Sequence, residues 1–208
     1  ADGRIFLSTK ATKIIVQDGV VTEVRTDGGP CLRAKWFVSN VNPPQTIDLL
    51  GRENVSETWA NSIDAMKPGL PIVVVYLGTD RDYAPEFDGV HEFLIQDTWD
   101  TNEVFDSVAD CDPSKSILLV ENTSIVDATA APAGHNVISI TGTVGEECDN
   151  NWNWSDRAAF KDYKDAVART FIERTEAVLP DLSRHVVVYE VASPQTLQAF
   201  TLNPRGTI

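Results

Sequence analysis

A histidine in a turn is the first side chain of this 208-residue chain that could do acid–base chemistry. His135 ends the run Ala131-Pro132-Ala133-Gly134-His135, whose composition is typical of a turn between two strands. A histidine at such a place could act as a general base. No nucleophile or acid motif accompanies it in the sequence. We therefore favour a histidine that hydrogen-bonds to the backbone of its own turn, and we assign no catalytic residue.

A run of carboxylates has residue types that could bind a metal ion. It consists of Asp97, Asp100, Glu103 and Asp106. Sites made only of oxygen ligands need a loop of fixed geometry, and no such loop is recognisable here. We interpret the run as a solvated acidic face and predict no metal site.

Two tryptophans could contribute to ligand binding. Trp152 and Trp154 directly precede residues 155–179, where apolar side chains recur at helical spacing and predict a helix with one buried face. The two rings could line a ligand pocket or pack against the start of this helix. The sequence does not decide between these alternatives.

Composition narrows the classes of partner. The chain carries 17 Lys and Arg against 31 Asp and Glu, a net charge of -14, which argues against nucleic acid and against an anionic membrane surface. The three cysteines lie far apart without a CxxC pair, so neither a zinc site nor a disulfide framework is indicated. Reduced thiols fit a cytoplasmic location, and no apolar run is long enough to span a bilayer.

The elements that would position these side chains form an α+β fold. We predict a mixed β-sheet covered by helices, preceded by a small antiparallel β-meander. The meander has its clearest hairpin signal at Asp18-Gly19 and a third strand over residues 32–39. The sheet strands are predicted near residues 71–77, 91–95, 116–120, 136–140 and 185–191, and the covering helices near 155–179 and 194–201.

The end of the chain carries a family resemblance. Ser193-Pro194-Gln195-Thr196, Phe200-Thr201 and the run from Asn203 to Ile208 follow a closing motif of the form TPxTxxxYTxxPxGxxYG. In this respect the chain resembles the phytoene desaturase, carotenoid isomerase and retinol saturase family of FAD-dependent oxidoreductases. The aromatic residue and glycine that end the family motif have no counterpart here.

Further motifs match the same family in the same order. The first forty residues match through Gly3-Arg4-Ile5, Asp18-Gly19 and Val38-Ser39-Asn40, and two later stretches match around Ala131-Pro132 and over residues 179–196. Residues 80–110 have no clear counterpart. Ala11 stands where the family usually has valine. The dinucleotide fingerprint GxGxxG is not in this chain, whereas in the family it lies near the N-terminus of a protein more than twice as long.

The resemblance implies a fragment of a flavoenzyme. Residues 1–45 would be a β-meander from a truncated FAD-binding domain, and residues 46–208 a substrate-binding domain. The parent protein would transfer a hydride between FAD and an apolar isoprenoid or polyene substrate. We expect FAD to be bound by the full-length parent rather than by this segment, and we expect the segment to be inactive alone.

The resemblance also implies site residues. The positions that would lie at the flavin are Ala11, Ser39, Asn40 and Gly206. Those that would contact substrate are Thr196, Phe200, Asn203 and Pro204. Trp152 and Trp154 are further candidates for substrate contact, because of their position before the predicted helix and not because of the resemblance. We further expect strand residues from Val73 to Leu77 to line an apolar cavity.

Two other readings remain open from the sequence. The chain could be a stand-alone module that binds a lipid or a partner without flavin chemistry, or an interaction domain with an acidic face. For the flavoenzyme we expect an apolar small-molecule substrate, no nucleic acid, and a cytoplasmic location compatible with peripheral membrane contact. The oligomeric state is not predicted.

Overall fold

The computed structural model describes residues 3–67, 69–109, 112–144, 152 and 155–207. The chain divides into two compact units, Ala1–Lys67 and Pro68–Ile208.

A two-stranded antiparallel hairpin opens the first unit. Strand β1 (Ala11–Gln17) pairs with β2 (Val20–Thr26), and Asp18 and Gly19 form the turn with φ of 50° and 77°. Two successive positive φ values are the type I′ geometry that suits the twist of hairpin strands. The hairpin predicted at Asp18-Gly19 is confirmed.

The third strand predicted over residues 32–39 is wrong. Only Leu32 continues this sheet, through an isolated bridge to Val24. Further along, the side chains of Trp36 and Val38 are 80% and 95% exposed. An apolar run becomes a strand only where a neighbour satisfies its backbone groups, and the described residues supply no such neighbour beyond Leu32.

Two short helices complete the first unit. Helix α1 (Pro43–Leu50) has proline in its first turn, and α2 (Glu57–Asp64) is capped by Ser56, which accepts a hydrogen bond from the Trp59 N–H. They share a small core of Ile47, Ala60 and Ile63. Because α1 also contacts β1, the compact unit extends to Lys67 and not only to residue 45. That residues 1–45 are part of an FAD-binding domain stays a prediction.

The second unit is built on a five-stranded sheet. Its strands are β3 (Ile72–Thr79), β4 (Glu92–Ile95), β5 (Leu118–Asn122), β6 (Asn136–Thr143) and β7 (Val186–Ala192). They lie in the order β4-β5-β6-β3-β7, and every pair is antiparallel. The α+β class and the five strand positions are confirmed. The described residues of this unit therefore lack the expected mixture of parallel and antiparallel pairs, because the alternation that locates a strand carries no information about its direction.

Helices connect and cover these strands. They are α3 (Thr101–Ala109), α4 (Thr123–Val126), α5 (Arg157–Thr175), α6 (Leu182–His185) and α7 (Pro194–Thr201). Helix α7 has the predicted bounds. Helix α5 begins at Arg157 because the Asp156 carboxylate accepts the N–H groups of Ala158 and Ala159. Over the described ranges, no helix combines the length and apolarity needed to cross a membrane.

Helix α5 covers one face of the sheet. Its Phe171 ring packs directly on Gly142 of β6, where a Cβ would overlap the ring. The core between helix and sheet includes fully buried Val73, Val75, Leu77, Ile138 and Ile140. Each such side chain contributes about 1.5–3 kcal/mol through removal from water, so this face fixes the sheet's position beneath α5.

Candidate functional site

The opposite face of the sheet is the candidate functional site. On β3, Val73, Val75 and Leu77 point into the core beneath α5, whereas Val74 and Tyr76 point the other way. The expectation that the whole run from Val73 to Leu77 lines a cavity is therefore wrong. Successive residues of a strand alternate between faces, so only every second one can face a ligand.

Strand register arranges this open face in two parallel rows. One, the open-face apolar row, runs directly across the strands through Leu94, Leu119, Thr141, Val74 and Ala192, of which Thr141 is the one polar residue. Beside it runs the open-face polar row of Glu92, Glu121, Ser139, Tyr76 and Glu190. With strands about 4.8 Å apart, four inter-strand steps make each row roughly 19 Å long.

The two ends of the apolar row differ in exposure. Leu94 on β4 is 62% exposed. At the other end, Val74 and Ala192 are buried together with Ile72, and Leu197 of α7 packs against them. Helix α7 therefore closes one end of the row, Leu119 and Thr141 in its middle are half-buried, and Leu94 at the other end is exposed.

The helix that closes the row belongs to the motif that carried the family resemblance. The Ser193 hydroxyl accepts the Thr196 N–H at 3.3 Å, and Pro194 occupies the first turn of α7. The helix ends at Leu202 in the left-handed conformation, with φ of 61°. The motif thus has a local physical meaning: it caps the start of α7 and ends the helix at Leu202.

The residues after α7 fold back onto its start. Gly206 has φ of 67°, and a Cβ there would overlap the Pro194 backbone. Thr207 forms an isolated antiparallel bridge with Pro71, just before β3, and accepts a hydrogen bond from the Asn203 amide at 3.2 Å. These contacts hold α7 against the start of β3, which is why Leu197 of α7 reaches the apolar row.

Most of the predicted substrate contacts gather on this segment. Thr196 is half-buried with its hydroxyl 3.1 Å from that of Ser193. Phe200, one turn after Leu197, is 85% exposed, and Pro204 is exposed as well. The structure thus brings these residues together beside the closed end of the row. Their contact with substrate stays a prediction.

Of the two tryptophans considered as ligand contacts, the structure describes Trp152. Trp152 is 1% exposed, and its ring lies 5.9 Å from Phe160 and 4.9 Å from Tyr163, both on the first turns of α5. In this position it is part of the packed core beneath the helix. Trp154 lies outside the described residues. Binding of substrate by either remains a prediction.

The predicted flavin positions fall in both units. Ala11 begins β1 opposite Thr26, Ser39 places its hydroxyl 2.8 Å from that of Thr46, and Asn40 is exposed. All three belong to the first unit, whereas Gly206 belongs to the second. Their role at a cofactor stays a prediction.

His135 and two of the carboxylates considered in the sequence have hydrogen-bond or ion-pair partners within the protein. His135 Nδ1 lies 3.2 Å from the Ala133 carbonyl, so the expected contact with its own turn is confirmed. Among the carboxylates, Asp100 accepts the N–H groups of Asn102 and Glu103 at the start of α3. Asp97 forms an ion pair with Arg174 at 3.3 Å.

One polar cluster was not anticipated from the sequence. Asp80 Oδ1 lies 2.8 Å from His185 Nδ1, and the Asp80 N–H donates to the His185 carbonyl at 3.0 Å. Beside them, Tyr83 is fully buried, which raises the pKa of its hydroxyl, and it donates to the Pro180 carbonyl at 3.2 Å. The cluster clamps the end of β3 to the start of β7. Asp80 and His185 are 105 residues apart, so sequence spacing gave no signal.

The sequence also did not predict the open face as a single surface. Tyr76, Leu94 and Val188 are 45%, 62% and 65% exposed and lie on three different strands. Alternation within each strand indicated two faces. Which side the helices cover depends on tertiary packing, so the sequence could not select the open one.

Comparison with known proteins supplies a family context. No family model matches the chain. It is 27% identical over 206 residues to prolycopene isomerase 2 of an Oncidium hybrid cultivar, a match that covers 98% of this chain and 33% of the relative. It is 27% identical over 216 residues to a neurosporene-forming phytoene desaturase of Rhodobacter capsulatus, covering 98% of this chain and 39% of the relative. The chain thus spans little more than a third of these relatives.

A solved structure agrees at the level of the fold. An oxidoreductase from Methanosarcina mazei superimposes with a TM-score of 0.54 and 14% identity, over 89% of this chain and 37% of that one. At this identity the likeness shows a shared fold alone. The sequence relatives are carotenoid-modifying enzymes, and the resemblance read from the motifs is confirmed.

Proposed function

We propose that this relative of the carotenoid-modifying oxidoreductases is the substrate-binding portion of an FAD-dependent oxidoreductase of the phytoene dehydrogenase type. The observation that carries the proposal is the open sheet face, with an apolar row that crosses five strands and is closed at one end by α7. A wall of this form suits a long apolar molecule. The names of the relatives, prolycopene isomerase and phytoene desaturase, point to an isoprenoid or polyene.

The energetics of the open face favour an extended apolar ligand. Binding would bury apolar surface of both the ligand and the row. Each 100 Å² buried contributes about 2.5 kcal/mol to the binding free energy, at 25 cal/mol per Å². The neighbouring polar row would hold such a ligand in place, because covering the carboxylates of Glu92 and Glu121 with hydrocarbon would cost their hydration. The Tyr76 ring, on the central strand of that row, offers an aromatic edge beside the apolar row.

The cofactor proposal concerns the parent protein. Among the described residues, those implied at the flavin already have structural partners: the Ser39 hydroxyl meets Thr46, and Pro194 fills the space where a Gly206 side chain would be. FAD, whose chemistry would be hydride exchange with the substrate, would be held mainly by residues outside this segment. The segment would be inactive alone.

The proposed setting is a reducing, cytoplasm-like compartment. Cys31 is a free, exposed thiol, which supports this assignment. The acidic surface disfavours nucleic acid and strongly anionic lipid as partners. Peripheral contact with a neutral membrane, from which an apolar substrate could be taken, remains part of the proposal.

The experiment that tests the proposal is characterisation of the native gene product that contains this segment. We expect a protein more than twice this length with GxGxxG near its start, the yellow absorbance of bound flavin, and a co-purifying polyene. A product of about 208 residues that binds no flavin would overturn the proposal.

Such a result would favour a second function, a lipid- or partner-binding module without flavin chemistry. The exposed apolar side chains on the open face, Leu94 and Val188 among them, are the observation that would support it. Binding of a fluorescent fatty acid or carotenoid by the 208-residue chain would then distinguish ligand binding from protein docking.

A further inference from the structure

We propose that β7 accepts one further β-strand, supplied by a part of the protein outside these 208 residues, which extends the sheet beneath α5. The proposal rests on the proposed function only in that the segment belongs to a longer protein. It concerns the outer edge of β7 and the groove beside it, and not the open face.

The composition of β7 is unsuited to a solvent-exposed edge. It is the last strand in the order β4-β5-β6-β3-β7 and is seven residues long, and Glu190 is its single charged residue. Val187, Val188 and Tyr189 are each 50–65% exposed. Soluble proteins protect sheet edges with charge, proline or short length. The opposite edge follows that rule through its short length, since β4 has four residues.

Backbone groups of β7 point outward in a regular pattern. The Val144 N–H donates to the Pro71 carbonyl, so the odd-numbered residues of β3 direct their hydrogen bonds to β6 and the even-numbered ones to β7. In β7 the partners of those even-numbered residues are Val188, Glu190 and Ala192. Tyr189 and Val191 therefore present their N–H and C=O groups away from β3.

A separate hydrogen bond agrees with the outward direction of the Val191 N–H group. The Val191 N–H donates to Glu190 Oε1, its neighbour's carboxylate, at 3.3 Å. A backbone group of an incoming strand could replace that carboxylate oxygen. The outward groups of Tyr189 and Val191 would then form a regular ladder with the new strand.

A groove alongside the edge would receive the side chains of the new strand. It has a volume of about 590 Å³ and lies between α5 and β7. Its apolar lining includes Ala168, Ile172 and Tyr189, and its charged lining is Asp165, Glu173, Glu176 and Arg169. The incoming strand should therefore alternate, with apolar residues facing the groove and a Lys or Arg placed near the three carboxylates.

Hydrogen exchange of individual amides tests this proposal. The Tyr189 amide should exchange rapidly in the 208-residue chain and at least about 100-fold more slowly in the longer native product, where a strand would cover it. The Glu190 amide, which bonds to β3 in both proteins, is the internal control. Unchanged Tyr189 exchange in the longer product would overturn the proposal, as would a native product that consists of these 208 residues alone.

Two other outcomes are separable. Protection of Tyr189 in the 208-residue chain that rises with its concentration would mean pairing between two copies, and would also overturn the proposal. Flavin absorbance is read on the same samples. Bound flavin together with rapid exchange of the Tyr189 amide would contradict the strand pairing alone. Slow exchange of the Tyr189 amide without bound flavin would contradict the proposed function alone.

Discussion

Replacement of Gly206 by alanine should destabilise the second unit by more than its backbone conformation alone explains. Gly206 has φ of 67°, and its missing Cβ faces the backbone of Pro194. Alanine in the left-handed region costs about 1 kcal/mol. The overlap with Pro194 adds about 1–3 kcal/mol, because two backbone segments must separate. The expected total for Gly206→Ala is about 2–4 kcal/mol in the free energy of unfolding.

A matched variant isolates the overlap. Gly89 has φ of 82° with nothing within 4 Å of the Cβ position, so Gly89→Ala carries the conformational cost without the collision. Urea unfolding of both variants, followed by far-ultraviolet circular dichroism, measures the difference in unfolding free energy. Equal destabilisation would refute the argument that Gly206 is required by its approach to α7. Loss of the Thr207 bridge to Pro71 in Gly206→Ala would support it.

Two further predictions concern groups that hold α5 in place. Arg174 donates hydrogen bonds to the carbonyl oxygens of Pro113 and Ser116, and its side chain is 14% exposed, so Arg174→Met should cost about 2 kcal/mol in unfolding free energy. The side chain of Asp97, its ion-pair partner, is 69% exposed, so Asp97→Asn should cost less than about 1 kcal/mol. Similar costs in urea melts would contradict this ranking. The Ser183 hydroxyl and N–H hold the pKa of Glu176 below its ordinary value of 4.5, so this carboxylate stabilises the fold above pH 4.5 and loses that contribution as the pH falls through its folded-state pKa. Ser183→Ala should therefore be less stable at pH 7 and lose less stability on acidification, and parallel pH profiles would be the contrary result.

Local signals predicted elements well in this chain. Asp18-Gly19 specifies its hairpin because both positions need positive φ. Ser193-Pro194 specifies the start of α7 because serine is a favoured N-cap and proline is favoured at the first helical position. The five sheet strands were located by runs of β-branched and apolar residues. These features depend on interactions over a few residues, which a single sequence contains.

Features that depend on distant contacts were not predictable in this way. The segment 32–39 has a strand-like composition but gains no neighbour after Leu32, so it stays irregular. The choice of Tyr76 over Val75 for the open face follows from the side on which α5 packs. The closure of the apolar row by Leu197 follows from the approach of Gly206 to Pro194. Neither contact leaves a signal in residue spacing.

The most direct test of the account is a carboxylate placed in the open-face apolar row of the native gene product. Leu94 is 62% exposed, so Leu94→Asp should leave folding intact, and Val126→Asp on α4, where the side chain is 64% exposed, is the matched control. A hydrocarbon lying on the row would strip water from the new carboxylate, at a cost of several kcal/mol. We predict that Leu94→Asp raises the KM or Kd for the polyene at least about 100-fold while flavin content and circular dichroism stay unchanged. Equal affinities for Leu94→Asp and Val126→Asp would contradict the assignment of this face to the substrate.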